Sequence, residues 1–189
     1  MKLIFDFDDT LSNNKLIKQR IFECLEEVGI LRSESEKYYD EVRSDHSPFS
    51  LKNFITNIFS SNKIDKPISE IYEKILEICP SILNKKLLDL VHKIGKENCY
   101  LVTNGDFEYQ NDKINKSGIS GLFSEVVVVP GSKKQIIEKI CFENLNEKVI
   151  FVDNKERFFA DLDMEKCKNL KTVLFDEQGL ENLEIALKG

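Results

Sequence analysis

Four short, uninterrupted apolar runs punctuate the chain, each closed by a turn-forming or polar residue: Leu3-Ile4-Phe5 before Asp6, Cys99-Tyr100-Leu101-Val102 before Thr103, Val126-Val127-Val128-Val129 before Pro130, and Val149-Ile150-Phe151-Val152 before Asp153. Runs that are apolar on both faces predict strands of a parallel sheet covered by helices on each side. A weaker run, Thr172-Val173-Leu174-Phe175 before Asp176, predicts a fifth strand. Helical spacing marks the segments between and after the later runs. Ile136, Ile137, Ile140 and Cys141 form one set, Phe158, Phe159 and Leu162 the next, and Leu180, Leu183 and Leu187 the last. Alternating strand and helix imply right-handed crossovers and an open α/β sheet.

The stretch from Ser12 to about Asn98 has no strand-like run and repeats the helical pattern instead. Leu16, Ile17, Ile21, Cys24, Leu25 and Val28 share a face and stop at Gly29, a helix-terminating residue. Phe54, Ile55, Ile58 and Phe59 predict another helix, and Ile68, Ile71, Tyr72, Ile75 and Ile78 a third that ends before Pro80. Ile82, Leu87, Leu90, Val91 and Ile94 predict a helix stopped by Gly95 that leads back to the sheet. Residues 30–47 fit no single template, although Glu34 to Glu41 suits a solvated helix face. The expected organisation is an α/β core from 1–12 and 82–189, with an all-α insertion at 13–81.

The chain has 189 residues, 41% hydrophobic and 32% charged, which suits a compact globule of one domain or one plus a small insertion. Its formal charge of −6 and lack of a basic run argue against nucleic-acid binding through backbone neutralisation. An acidic protein handling an anionic substrate must concentrate positive charge locally. The N-terminal Met1-Lys2-Leu3-Ile4-Phe5 reaches Asp6 before any apolar stretch is long enough for a signal peptide or membrane span, so a cytoplasmic protein without a membrane partner is expected. Five widely spaced cysteines and two histidines, His46 and His92, offer no zinc pattern; the cysteines read as reduced core residues, and the histidines as a loop and a helix-surface residue. Phe49, Phe54 and Phe59 read as core of the helical insertion.

In open α/β sheets ligands lie beyond the carboxyl ends of the strands. Asp6, Asp8, Asp9 and Thr10 follow the first run; Thr103, Asn104, Gly105 and Asp106 follow the second. Gly131, Ser132, Lys133 and Lys134 follow the third, and Asp153, Asn154 and Glu156 the fourth. Each set has an ordinary structural reading. Asp9 or Thr10 could cap a helix, Thr103-Asn104-Gly105 is a common turn sequence, and Asp153 is well placed as a cap. A lysine at the positive end of a helix, by contrast, asks for an anionic partner.

Taken together and in order, these sets resemble the haloacid dehalogenase superfamily. Asp6-Phe7-Asp8-Asp9-Thr10-Leu11 is similar to its D-x-D-x-T-L signature and Leu101-Val102-Thr103-Asn104-Gly105 to its second motif, with Lys133 or Lys134 standing for the third and Asp153 for the fourth. The helical insertion is similar to the family's C1 cap. The resemblance implies a Rossmann-like parallel sheet with an inserted helical cap. It also implies a Mg²⁺-dependent phosphatase acting on a small phosphorylated metabolite such as a nucleotide, a sugar phosphate or phosphoglycolate.

At the strand end Asp6 and Asp8, separated by one residue, can face one pocket while Phe7 turns into apolar packing. The resemblance casts Asp6 as nucleophile, forming an aspartyl-phosphate, and Asp8 as the acid and base, with a proton affinity expected to be raised by its neighbours. Asp6, the main-chain carbonyl of Asp8, and Asp153 would hold Mg²⁺. Thr103, Asn104, Gly105 and Lys133 would bind the phosphoryl oxygens. The chain departs from the common pattern in having Asn154 after Asp153, with Glu156 beyond, and in its compact Gly131-Ser132 approach to the lysines. A dehalogenase and a phosphomutase are the alternatives of the same fold. A non-catalytic module holding a metal, a phospho-ligand or a protein partner is the alternative of another class.

Overall fold

The computed structural model describes residues 1–44 and 48–188. Five parallel strands, β1 (Lys2–Phe5), β2 (Cys99–Asn104), β3 (Glu125–Val129), β4 (Val149–Asp153) and β5 (Leu170–Leu174), form one sheet in the order β3-β2-β1-β4-β5. β1 is central, with Phe5 opposite both Leu101 and Val152. The chain winds outward through β2 and β3, then returns to the other side of β1 for β4 and β5. This reversal places the carboxyl ends of β1 and β4 at the switch point, where a crevice forms.

Alternation along the strands divides the core. Leu3, Phe5, Leu101 and Ile150 face one layer, which includes Leu87, Val91, Leu183 and Ala186. Ile4, Val102, Val149 and Phe151 face the other, against Ile137, Ile140 and Cys141. The continuous apolar runs thus supply both faces. β5 begins at Leu170, two residues before the expected run, and ends before Phe175. As an edge strand it buries Leu170 and Val173 and exposes Lys171, so its first residues lack the uninterrupted apolar character of the inner strands.

The segment between β1 and β2 is helical: α1 (Asn14–Glu27), α2 (Arg32–Ser44), α3 (Leu51–Asn62), α4 (Ile68–Leu76) and α5 (Lys85–Ile94). Asn13 caps α1, accepting from the Lys15 amide. Gly29, at φ +91°, donates to Glu26 while Ile30 donates to Leu25, the paired bonds of a Schellman ending. The ambiguous segment contains α2, which exposes Glu34, Lys37, Asp40 and Glu41 and buries Ser35 and Tyr39. Ile82 lies outside α5, in a 3₁₀ turn over Cys79–Ile82, because Asn84 caps α5 through the Leu87 amide. A separate apolar cluster joins α1 to α4 and includes Phe49, Phe54, Phe59 and Tyr109.

The remaining helices are α6 (Phe107–Lys116), α7 (Lys134–Glu143), α8 (Arg157–Ala160) and α9 (Gly179–Lys188). The apolar pattern did not predict α6, and its buried face explains why: Gln110 and Lys113 are buried beside Tyr109 and Ile114. All five cysteines are buried and free. His92 is exposed on α5, whereas His46 lies outside the described residues. No helix among the described residues is long and apolar enough to cross a membrane.

Candidate active site

After β1 the chain folds back on itself. The Asp6 amide continues the sheet ladder by donating to the Val152 carbonyl at 2.9 Å, and the Thr10 and Ser12 amides both donate to the Phe7 carbonyl. Asp9 adopts φ +61° at this turn and accepts from the Asn14 amide through its side chain. Phe7 is fully buried, so Asp6 and Asp8 are turned toward the sheet edge on the other side.

Lys133 precedes α7 and is fully buried. Its Nζ donates to Asp6 Oδ1 and Asp153 Oδ2, both at 2.5 Å, and lies 4.5 Å from the Phe158 ring centroid. Asp153, also fully buried, accepts from the Lys155 amide through its other oxygen. One ammonium is therefore shared by two buried carboxylates, leaving a residual charge of −1. Burial above all, with repulsion from Asp153 and Asp8, pushes the Asp6 carboxyl up to about 6 even though Lys133 opposes the shift. Lys134, the other candidate, is only half-buried, donates to the Asp161 carbonyl at 2.7 Å and pairs with Glu138.

Asp8 is held by α6. Lys113 Nζ lies 2.5 Å from Asp8 Oδ1, and Gln110 Nε2 donates to Oδ2 at 2.8 Å. Burial alone would raise the Asp8 carboxyl, but the Lys113 ammonium and the Gln110 amide outweigh it and hold the group below the usual carboxylate range. The expectation of a raised proton affinity at Asp8 is therefore corrected. The cause is a pair of residues that the sequence reading did not single out. Gln110 and Lys113 share a helix face at i and i+3, and that spacing was the available signal.

The Thr103 hydroxyl is fully buried and has no hydrogen-bond partner among the described residues. An orphaned donor of this kind costs free energy unless a ligand or water meets it. The Asn104 side-chain amide is already committed to the Val129 and Gly131 carbonyls, tying β2 to the loop that carries Lys133. Gly105 has φ +157°, and a Cβ there would meet Gln110 Nε2 at 2.6 Å, so glycine permits the close approach of the side chain that holds Asp8. Asp106 caps α6 through the Tyr109 amide.

Among the described residues no three His, Cys, Asp or Glu side chains are grouped to hold a metal. The residues nevertheless fit a hard divalent cation. Asp6 and Asp153 supply two carboxylates and a residual negative charge, and the Asn154 side-chain oxygen is buried without a partner among the described residues. Mg²⁺ accepts such an all-oxygen set and completes it with water. Glu156 is exposed. Asp8, Asn104, Gly105 and Lys113 open onto a cavity of about 410 Å³ between the core and the helical layer.

No family model and no curated protein sequence matches the chain. Its structure is similar to that of a Burkholderia xenovorans LB400 protein described as a haloacid dehalogenase-like hydrolase, with TM-score 0.69 and 18% identity over 94% of this chain and 86% of the other. It is also similar to a Thermotoga maritima protein described as a β-phosphoglucomutase, with TM-score 0.56 and 16% identity over 100% and 99% of the two chains. L-2-haloacid dehalogenase from Xanthobacter autotrophicus matches with TM-score 0.54 and 12% identity over 98% and 82%. The fold is that of the haloacid dehalogenase-like hydrolases.

Proposed function

Starting from that fold, we propose that the chain is a Mg²⁺-dependent phosphomonoester hydrolase acting on a small soluble phosphometabolite through an aspartyl-phosphate on Asp6. The observation that carries this reading is the buried Asp6–Lys133–Asp153 group, with a Thr103 hydroxyl unpartnered among the described residues near the carboxyl end of the neighbouring strand β2. A carboxylate nucleophile, a fixed ammonium and an idle hydroxyl donor are the groups that phosphoryl transfer needs at one strand edge. Residues 13–81 serve as a cap that excludes water from the site.

Asp6 attacks phosphorus with one carboxylate oxygen; the bond to the ester oxygen breaks, and the leaving group departs with its electron pair. Lys133 offsets the repulsion between nucleophile and phosphoryl oxygens, and the Thr103 hydroxyl donates to one of those oxygens. Asp6, Asp153 and the Asp8 main-chain carbonyl would hold Mg²⁺, which would supply further charge neutralisation. In the second half Asp8, ionised by its contacts with Lys113 and Gln110, takes a proton from the water that attacks phosphorus; the bond from phosphorus to the Asp6 oxygen breaks, releasing phosphate and restoring the Asp6 carboxylate. As the acid of the first half it must first acquire a proton, which Lys113 opposes, so aryl phosphates turn over faster than alkyl phosphates.

The test is phosphate release from p-nitrophenyl phosphate with Mg²⁺, abolished by Asp6→Asn. No turnover across a broad phosphomonoester panel counts against the reading. One observation favours a dehalogenase instead: halide departure needs no acid, and Asp8 is locked in an ion pair. Halide release from 2-haloacids without phosphate release would select that alternative.

A further inference from the structure

The cavity carries more positive charge than one phosphoryl group requires. Five cationic side chains line it, Lys18, Arg43, Lys113, Lys155 and Arg157, against the two carboxylates of Asp8 and Asp106, giving a formal charge of +3 among the described residues. The whole chain carries −6, so this concentration is local and of opposite sign. Lys113 is consumed by Asp8. Lys18 leans over the Tyr39 ring and meets Asp40 only at 3.4 Å on the outer surface.

The other three are less tied, although the Lys155 charge contributes to lowering the Asp8 carboxyl. Arg43, Lys155 and Arg157 form no ion pair among the described residues; Arg43 and Arg157 rest only against the Phe49 and Phe158 rings. They approach from two sides, Arg43 from α2 and Lys155 with Arg157 from the segment after β4. Lys133, which serves the phosphoryl group, does not line the cavity. The surplus therefore lies outside the position of Lys133, on a concave surface where like charges reinforce one another's field. At about 410 Å³ the space admits a small metabolite.

We infer that the substrate bears a second anionic group, a carboxylate or a further phosphate, and that Arg43, Lys155 and Arg157 form the subsite for it. This rests on the phosphatase reading and narrows it. A phosphorylated neutral sugar leaves these cations without counter-charge, whereas a bis-anionic ester supplies it. Arginine suits either anion because its planar fork donates two parallel hydrogen bonds.

Two measurements on the Mg²⁺-loaded protein test the inference. In calorimetric titrations, 4-phosphonobutyrate and butane-1,4-diphosphonate are compared with butylphosphonate, three ligands that share a chain and a phosphonate and differ at the far end. Binding of at least one bis-anionic ligand is expected to be roughly 10- to 100-fold tighter than that of butylphosphonate, the value of one or two charge-assisted hydrogen bonds. Whichever binds tighter identifies the far group as carboxylate or phosphate. In Arg43→Gln and in Arg157→Gln that preference is expected to fall at least about threefold, with unchanged melting temperature. Equal affinity for all three ligands overturns the inference, and so does a preference that both variants retain. In the kinetic arm, kcat/KM for 4-phosphooxybutyrate is expected to exceed that for butyl phosphate by a similar factor. If p-nitrophenyl phosphate is hydrolysed and this ratio is near one, the subsite fails while the phosphatase reading stands. If no ester is hydrolysed but the titrations show the preference, the phosphatase reading fails and the bis-anion site stands.

Discussion

Replacing Lys113 by Met removes a 1%-exposed ammonium that lies 2.5 Å from Asp8 and leaves a largely buried carboxylate with only the Gln110 amide. Breaking one side of a buried ion pair costs about 3–5 kcal/mol. Asp8 keeps 16% side-chain exposure at the cavity edge, so the lower end, about 3 kcal/mol, is appropriate here. Removing both charges in Lys113→Met with Asp8→Asn leaves no unpaired ion, so the double variant is expected to recover most of the loss rather than add to it. Thermal unfolding of wild type, both single variants and the double variant at neutral pH measures the coupling. For a chain of this length 3 kcal/mol corresponds to a shift of roughly 6–12 °C. The pH dependence supplies an independent sign. Contacts that hold Asp8 below its ordinary 3.8 contribute stability above that pH and lose it as pH falls through the depressed value. The gap between wild type and Lys113→Met should therefore be full at pH 7 and shrink toward pH 4, as the unpaired carboxyl takes up a proton. Additive losses in the double variant, or a gap that widens on acidification, would refute the reasoning.

Other consequences are more local. In Mg²⁺-free buffer the Asp6 carboxyl, raised from 3.8 to about 6, binds its proton more tightly in the folded state, so wild type should lose stability relative to Asp6→Asn as pH rises from about 4 to about 6. Chemical denaturation at both pH values checks this, and a gain for wild type over that window contradicts it. Gly105→Ala should cost about 1–3 kcal/mol through the positive φ and the clash with Gln110, and adding Gln110→Ala should return part of that loss; no recovery in urea melts would remove the clash from the explanation. Burial pushes the Cys79 and Cys99 thiols up to about 11 and that of Cys141 up to about 12, so native protein at pH 8 should show no rapid reaction with a thiol-specific disulfide reagent. A fast stoichiometric thiol would contradict the buried placement.

The inner strands were legible because β1 and β4 are covered on both faces and must be apolar throughout, whereas β5 lies at an edge and hides its start behind Lys171. The helices between β1 and β2 were legible where their contact faces are aliphatic, as at Ile17, Ile21 and Leu25. α6 was not, since half of what it buries is Gln110 and Lys113, and periodicity of hydrophobic residues cannot report a polar face turned inward. The missing helix then misled the chemistry of Asp8, whose proton affinity is governed by a lysine 105 positions away along the chain. The choice between Lys133 and Lys134 was likewise not local. Adjacent residues at a helix entrance point in different directions, and only the convergence of β1 and β4 on one side determines which ammonium meets Asp6 and Asp153.

The claim that Asp6 accepts the phosphoryl group is tested most directly by acid-quenching the Mg²⁺-loaded enzyme within its first turnover of a phosphomonoester and mapping the peptides by mass spectrometry. The account predicts the mass of one phosphoryl group on the N-terminal peptide at Asp6, discharged by hydroxylamine and absent from Asp6→Asn. Phosphate release with that peptide unmodified, or with turnover retained in Asp6→Asn, would contradict it.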